Sequence, residues 1–124
     1  MSAHNLIIDD DEISLLLVEK LLKKQDSFSE PIKFFDAKNA YQYLQKNYSS
    51  NCKYRIFLDI NMPLMDGWEF LDEASNLLSK KNTCVYILSS SNNKIDKIKS
   101  EEYDLVKGFI SKPLRQAHIN NLIN

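Results

Sequence analysis

The sequence predicts an α/β fold in which five strands alternate with five helices and form a mainly parallel sheet covered on both faces. Three observations predict it. Short apolar runs of strand length recur at Leu6-Ile7-Ile8 and at 32–35, 55–59, 84–88 and 105–110. Most of the intervening segments place apolar residues three and four positions apart, the period of an amphipathic helix. No repeat, low-complexity tract or linker interrupts the series, and such alternation is the pattern of βαβ units. At 124 residues, the chain is expected to be a single domain over 1–124.

The first run ends in Asp9-Asp10-Asp11-Glu12, and a helix is expected over 13–24. Ile13, Leu16, Leu17 and Leu21 mark its apolar face, which Leu15, Val18 and Leu22 widen into a deeply packed helix. Acids at its start and Lys20, Lys23 and Lys24 near its end suit the helix dipole. A polar connection over 26–30 leads to the second strand. Asp36 is a natural N-cap for a helix over 37–48 with Ala40, Tyr41, Leu44 and Tyr48 inward. After a turn at 49–53, the third strand runs into Asp59. Asp66-Gly67 opens a helix over 67–78, with Phe70, Leu71, Ala74, Leu77 and Leu78 facing the core.

The fourth strand ends in Ser89-Ser90-Ser91-Asn92-Asn93. The very polar helix expected over 94–101 has only Ile95 and Ile98 as strong apolar positions, so it should be the most mobile element. The fifth strand is centred on 108–110 and broken by Ser111-Lys112-Pro113; a helix over 114–123, with Ile119, Leu122 and Ile123, closes the chain. The only glycines are Gly67 and Gly108, so turns must rely on Asn, Asp and Ser.

Net charge is −1, which speaks against a nucleic-acid or membrane surface by bulk electrostatics. No apolar run approaches the roughly 20 residues that span a bilayer. The N-terminus lacks a secretory layout, which makes a cytoplasmic location the expectation. Cys52 and Cys84 have no metal or redox spacing and read as free thiols. His4 and His118 show no ligand pattern.

Chemistry converges at one edge. In an open parallel sheet, ligands bind at the carboxyl ends of the strands. There the first strand delivers Asp9 and Asp10, the third Asp59, the fourth Ser89 and the fifth Lys112. Three carboxylates repel one another unless a hard cation with oxygen ligands sits among them, and Mg²⁺ suits a pair of carboxylates plus water and a phosphoryl oxygen. Lysine and a hydroxyl add donors for phosphoryl oxygens. One carboxylate in such a site can act as nucleophile and form an aspartyl phosphate.

Four segments carry a resemblance: Ile7-Ile8-Asp9-Asp10-Asp11, Leu58-Asp59-Ile60-Asn61-Met62-Pro63-Leu64-Met65-Asp66-Gly67, Ile87-Leu88-Ser89-Ser90 and Gly108-Phe109-Ile110-Ser111-Lys112-Pro113. In this order and spacing they resemble the receiver domain of two-component response regulators, of the single-domain chemotaxis-regulator type. The resemblance covers essentially the whole chain. It implies a flavodoxin-like (βα)5 three-layer sandwich with strand order 2-1-3-4-5. It implies that Asp59 is the phosphoacceptor, Asp10 a direct Mg²⁺ ligand, and Asp9 a ligand mainly through water. The Asn61 backbone carbonyl would complete the metal shell, with Mn²⁺ as a possible substitute ion. Ser89 takes the switch-hydroxyl position, Lys112 pairs with the acceptor carboxylate, and Phe109 holds the aromatic switch position. The Lys112–Pro113 bond is expected to be cis. The implied partners are a sensor histidine kinase or phosphotransfer protein and a downstream protein target, with no nucleic acid or membrane. No DNA-binding segment is expected.

Some residues depart from the common pattern. The switch hydroxyl belongs to Ser89 rather than a threonine, and Phe109 lacks a tyrosine hydroxyl. The usual glycine-containing segment before the fifth strand is Glu102-Tyr103-Asp104-Leu105-Val106-Lys107. Ser91 is expected to tune water access, and Trp68 to be partly buried. Taken alone, Asp59 reads as a strand-end cap, Lys112 as a surface lysine, and Asp11 and Glu12 as a charged helix start. Two alternatives are weighed: a Mg²⁺-dependent phosphatase with an aspartyl nucleophile, and an interaction module independent of phosphorylation. The first needs a carboxylate two residues after the nucleophile as general acid, and Asn61 stands there.

Overall fold

The computed structural model describes residues 3–25, 30–90 and 94–122, the side chain of Leu122 excepted. Strands β1 (Ala3–Ile8), β2 (Ile32–Phe34), β3 (Lys53–Asp59), β4 (Thr83–Ser89) and β5 (Val106–Ser111) alternate with α1 (Glu12–Lys23), α2 (Ala37–Asn47), α3 (Gly67–Ala74), α4 (Lys94–Ser100) and α5 (Gln116–Leu122). All pairings are parallel and the strand order is β2-β1-β3-β4-β5. This is the expected flavodoxin-like sandwich.

The central strands are apolar on both faces because helices cover both. Leu6, Ile8, Ile56, Leu58, Val85 and Ile87 pack with α2 and α3 through Ala40, Leu44, Phe70, Leu71 and Ala74. Ile7, Phe57, Tyr86 and Leu88 pack on the other side with α1 and α5 through Leu15, Val18, Leu22 and Ile119. Phe57 and Tyr86 stack there, with ring centroids 5.5 Å apart.

The helix starts are sequence-local. Asp11 caps α1 by accepting from the Ile13 N–H, and Asp36 caps α2 by accepting from the Asn39 N–H. Asp66 and Glu69 form a reciprocal capping box at α3.

Several expectations need correction. On α1 the buried face is Leu15, Val18, Leu21 and Leu22, while Ile13, Leu16 and Leu17 are exposed. The helix has one packed side; an apolar excess in the sequence does not say which stripe meets the sheet. Helix α3 stops at Ala74 and the chain continues in turns, although Leu78 is still buried. On α4, Ile95 and Ile98, its strong apolar positions, are 73% and 64% exposed. Its one buried side chain is Ser100. Among the described residues, positive backbone φ falls on Leu64 (67°) rather than on an Asn, Asp or Ser, and that side chain is fully exposed. Ser91 and Ile123 lie outside the described residues, as does most of the connection expected over 26–30. Among the described residues, no helix is long and apolar enough to cross a membrane.

Candidate phosphoryl and metal site

Register brings the candidate side chains together. Ile8 pairs with Leu58, so the next residues, Asp9 and Asp59, leave adjacent strands side by side. Ser89 pairs with Ser111, which sets Lys112 one residue beyond the end of that ladder. The Lys112 N–H donates to the Ser89 carbonyl at 2.7 Å, fastening the lysine's backbone to β4. The Lys112–Pro113 peptide is cis.

Strand alternation divides the group. Asp9, Asp59 and Lys112 share the parity of Ile7, Phe57 and Ile110, residues of the α1/α5 side. Ser89 shares the parity of Ile87, and Phe109 packs on that same α2/α3 side. The charged groups and the two expected switch residues therefore belong to opposite faces of the sheet. Ser89 is fully buried and Phe109 partly so.

Asp9 is 1% and Asp59 5% exposed, whereas Asp10 is open to solvent. The three carboxylates each offer an oxygen within 4.8 Å of the others. The Lys112 ammonium lies 2.9 Å from Asp9 Oδ2 and 3.7 Å from Asp59 Oδ1. The lysine thus pairs more closely with Asp9 than with the expected acceptor. Asp9 Oδ1 also accepts from the Asp11 N–H at 2.9 Å, and Asp59 Oδ1 from the Asn61 N–H at 3.3 Å. Asn61 itself is exposed.

The Asp59 carboxyl is pushed up from 3.8 to about 6. Burial is the main cause and the charge of Asp9 the next, opposed by Lys112 and the Asn61 N–H. A buried carboxylate crowded by neighbouring anions is one a cation would relieve. The donors are all oxygen, which fits a hard ion such as Mg²⁺ and not a soft one.

The sequence reading missed Ser14. Its hydroxyl donates to Asp11 Oδ2 at 3.1 Å and stands 3.5 Å from the Lys112 ammonium. The three-residue spacing of Asp11 and Ser14 at a helix start was the available signal. Gly67 was read only as a helix start. A Cβ there would come within 2.7 Å of Ile60 Cα and 2.9 Å of the Asp59 carbonyl oxygen, so the glycine lets α3 close onto the end of β3.

Fold and site together define a doubly wound α/β domain with an acidic, lysine-flanked cluster at the carboxyl edge of its sheet. The comparisons specify the class: residues 6–124 match the response regulator receiver domain family, and the chain belongs to it. It is a receiver domain of two-component signalling, a family that acts as phosphoacceptor.

A two-component response regulator from Cytophaga hutchinsonii is 31% identical, with 99% of this chain and 95% of that one covered and a TM-score of 0.88. The chemotaxis protein CheY4 of Vibrio cholerae shares the fold at 23% identity, a TM-score of 0.79 and coverage of 99% and 97%. The hybrid signal transduction histidine kinase L of Dictyostelium discoideum is 28% identical over 122 residues, 95% of this chain. The chain spans 7% of that relative's length.

Proposed function

We propose that Asp59 is the residue that takes up the phosphoryl group, from a histidine kinase or a phosphotransfer protein presenting phosphohistidine. The observation that carries this reading is a buried carboxylate at the open end of β3, beside Asp9 and within 3.7 Å of the Lys112 ammonium. No packing reason explains such a charge, because burying it costs free energy unless it is paired.

Asp9 and Asp10 would hold Mg²⁺ with Asp59 and the Asn61 carbonyl, and Mn²⁺ has the same oxygen preference. When bound, the ion supplies positive charge that keeps Asp59 ionised and offsets the incoming phosphoryl oxygens. An Asp59 carboxylate oxygen attacks phosphorus. The new O–P bond forms as the P–N bond to the donor imidazole breaks, and the electron pair stays on that nitrogen. Lys112 then turns from Asp9 toward a phosphoryl oxygen, and the Ser89 hydroxyl donates to another.

These contacts exist only with the phosphoryl group in place. They bias a two-state packing of the α4–β5 face, with Phe109 moving inward to fill space near Ser89. A protein target reads that face, and net charge speaks against nucleic acid. Asn61 cannot serve as the general acid of a phosphatase, so the domain is an acceptor rather than a turnover enzyme. Residues 1–124 act as one receiver unit, in the cytoplasm where phosphodonors and Mg²⁺ are plentiful.

The test is incubation with Mg²⁺ and acetyl phosphate, followed by intact mass. The wild type gains one phosphoryl group and Asp59→Asn gains none. No gain on the wild type, or an equal gain on both, overturns the assignment.

A further inference from the structure

Helix α4 has little hold on the core, since Ser100 is its one buried side chain. Yet its C-terminal end is tied to α3 by side chains that the phosphoryl chemistry does not use. The Lys99 ammonium lies 4.8 Å from the centroid of the Trp68 ring, within cation–π range. Tyr103, just past α4, stacks on the same indole with centroids 5.8 Å apart and planes 22° from parallel. The Tyr103 hydroxyl donates to Asp72 Oδ1 at 2.7 Å, and Asp72 stands four residues after Trp68 on α3. Burial and the bond to Asp72 push the Tyr103 phenol up from 10 to about 12. Tyr103 belongs to the segment where the chain departs from the usual glycine-containing pattern.

We propose that Trp68, Asp72, Lys99 and Tyr103 form a latch that holds α4 against α3 and favours the arrangement with Phe109 at the half-exposed edge. This rests on the switching role assigned above to the α4–β5 face. Any shift of α4 must draw Lys99 off the indole, and any repacking of the turn into β5 must unstack Tyr103. The latch therefore opposes the arrangement that the phosphoryl group favours. The coupling is reciprocal: a weaker latch eases phosphoryl uptake, and uptake loosens the latch.

The experiment compares the full chain as wild type, Tyr103→Phe, Lys99→Gln and Lys99→Arg. Lys99 is exposed and Tyr103→Phe keeps the ring, so the variants leave the core intact. In native-state hydrogen exchange, amides of α4 and its following turn should exchange about 3- to 10-fold faster in Tyr103→Phe and Lys99→Gln. Those of β1 and β3 should not change, and Lys99→Arg should exchange no faster than wild type because it keeps a cation on the ring. With Mg²⁺ and acetyl phosphate, the two loosened variants should take up the phosphoryl group about 2- to 5-fold faster. Unaltered exchange at α4 overturns the latch. Faster exchange without faster uptake overturns its coupling to the switch. A wild type that takes up no phosphoryl group overturns the acceptor reading, and with it the switching half of the proposal, whatever the exchange shows.

Discussion

Strands β1 and β3 and the α4–β5 edge belong to one sheet yet are built differently. Leu6, Ile7, Ile8, Ile56, Phe57 and Leu58 are all fully buried between helix layers. They end in Asp9 and Asp59, so the chemistry stands on strands that cannot shift without opening the core. At the edge, Phe109 and Ile110 are only partly buried, and α4 turns Ile95 and Ile98 to solvent. Among the contacts that hold it are the β4 pairing, Ser100, the Trp68 cluster and the packing of Val106, Phe109 and Ile110 on the core. A phosphoryl group needs a rigid cradle, whereas a response needs an element whose alternative packing costs little.

The largest effect that can break this contrast is in the floor. Phe57→Ala should cost ~3–5 kcal/mol in denaturant unfolding, while Ile98→Ala should stay within ~0.5 kcal/mol. Similar losses at the two positions would mean the edge is packed as firmly as the floor. Next, Gly67→Ala should destabilise by ~1–3 kcal/mol, since a Cβ at 2.7 Å from Ile60 Cα must push α3 away from β3. It should also slow phosphoryl uptake by displacing the chain around Asp59. A neutral result would show that α3 can slide.

The third effect is a pH dependence. In EDTA, the Asp59 carboxyl is raised in the folded chain from 3.8 to about 6, so the folded state holds its proton longer than the unfolded state. The cost is absent below about pH 4, grows as pH rises toward 6, and is complete above it. Asp59→Asn should therefore be more stable than wild type at pH 7 by ~1–3 kcal/mol, with the difference vanishing near pH 4. A less stable variant at pH 7 would show that Lys112 outweighs burial and Asp9.

The smallest effect lies away from the site. Glu19, on α1, is held below its usual 4.5 by its hydrogen bond to Lys33 of β2, at 2.9 Å, with further help from Lys23. Its contribution is present above about pH 4.5 and is lost as pH falls through the depressed value. Glu19→Gln should cost ~0.5–1 kcal/mol at pH 7 and progressively less as pH falls through the depressed value. An unchanged loss at pH 3 would assign the effect to packing.

Much of the candidate site was legible because it follows from strand ends. Asp9, Asp59, Ser89 and Lys112 each stand where an apolar run stops, and parallel strands bring such ends to one edge. The partner of Lys112 was not legible: three carboxylates stand at the same edge, and the 2.9 Å approach to Asp9 against 3.7 Å to Asp59 is set by how the whole fold places the strand ends. Ser14 escaped notice because its role depends on where α1 lies against Pro113 and Lys112. Where Ile95 and Ile98 point was not legible because apolar character alone does not bury a helix; a neighbouring surface must be there to receive it.

By itself, then, the sequence determined what is local or periodic. Alternating runs specified five βα units, Asp11, Asp36 and Asp66 specified three helix starts, and the strand ends specified the acidic edge. Those properties depend on residues a few positions apart. Only the tertiary structure decided which stripe of α1 is covered, which carboxylate holds Lys112, why residue 67 must be glycine, and that Trp68, Lys99 and Tyr103 meet. Each of these depends on the distance between elements remote in sequence, and that distance is set by packing of the whole core.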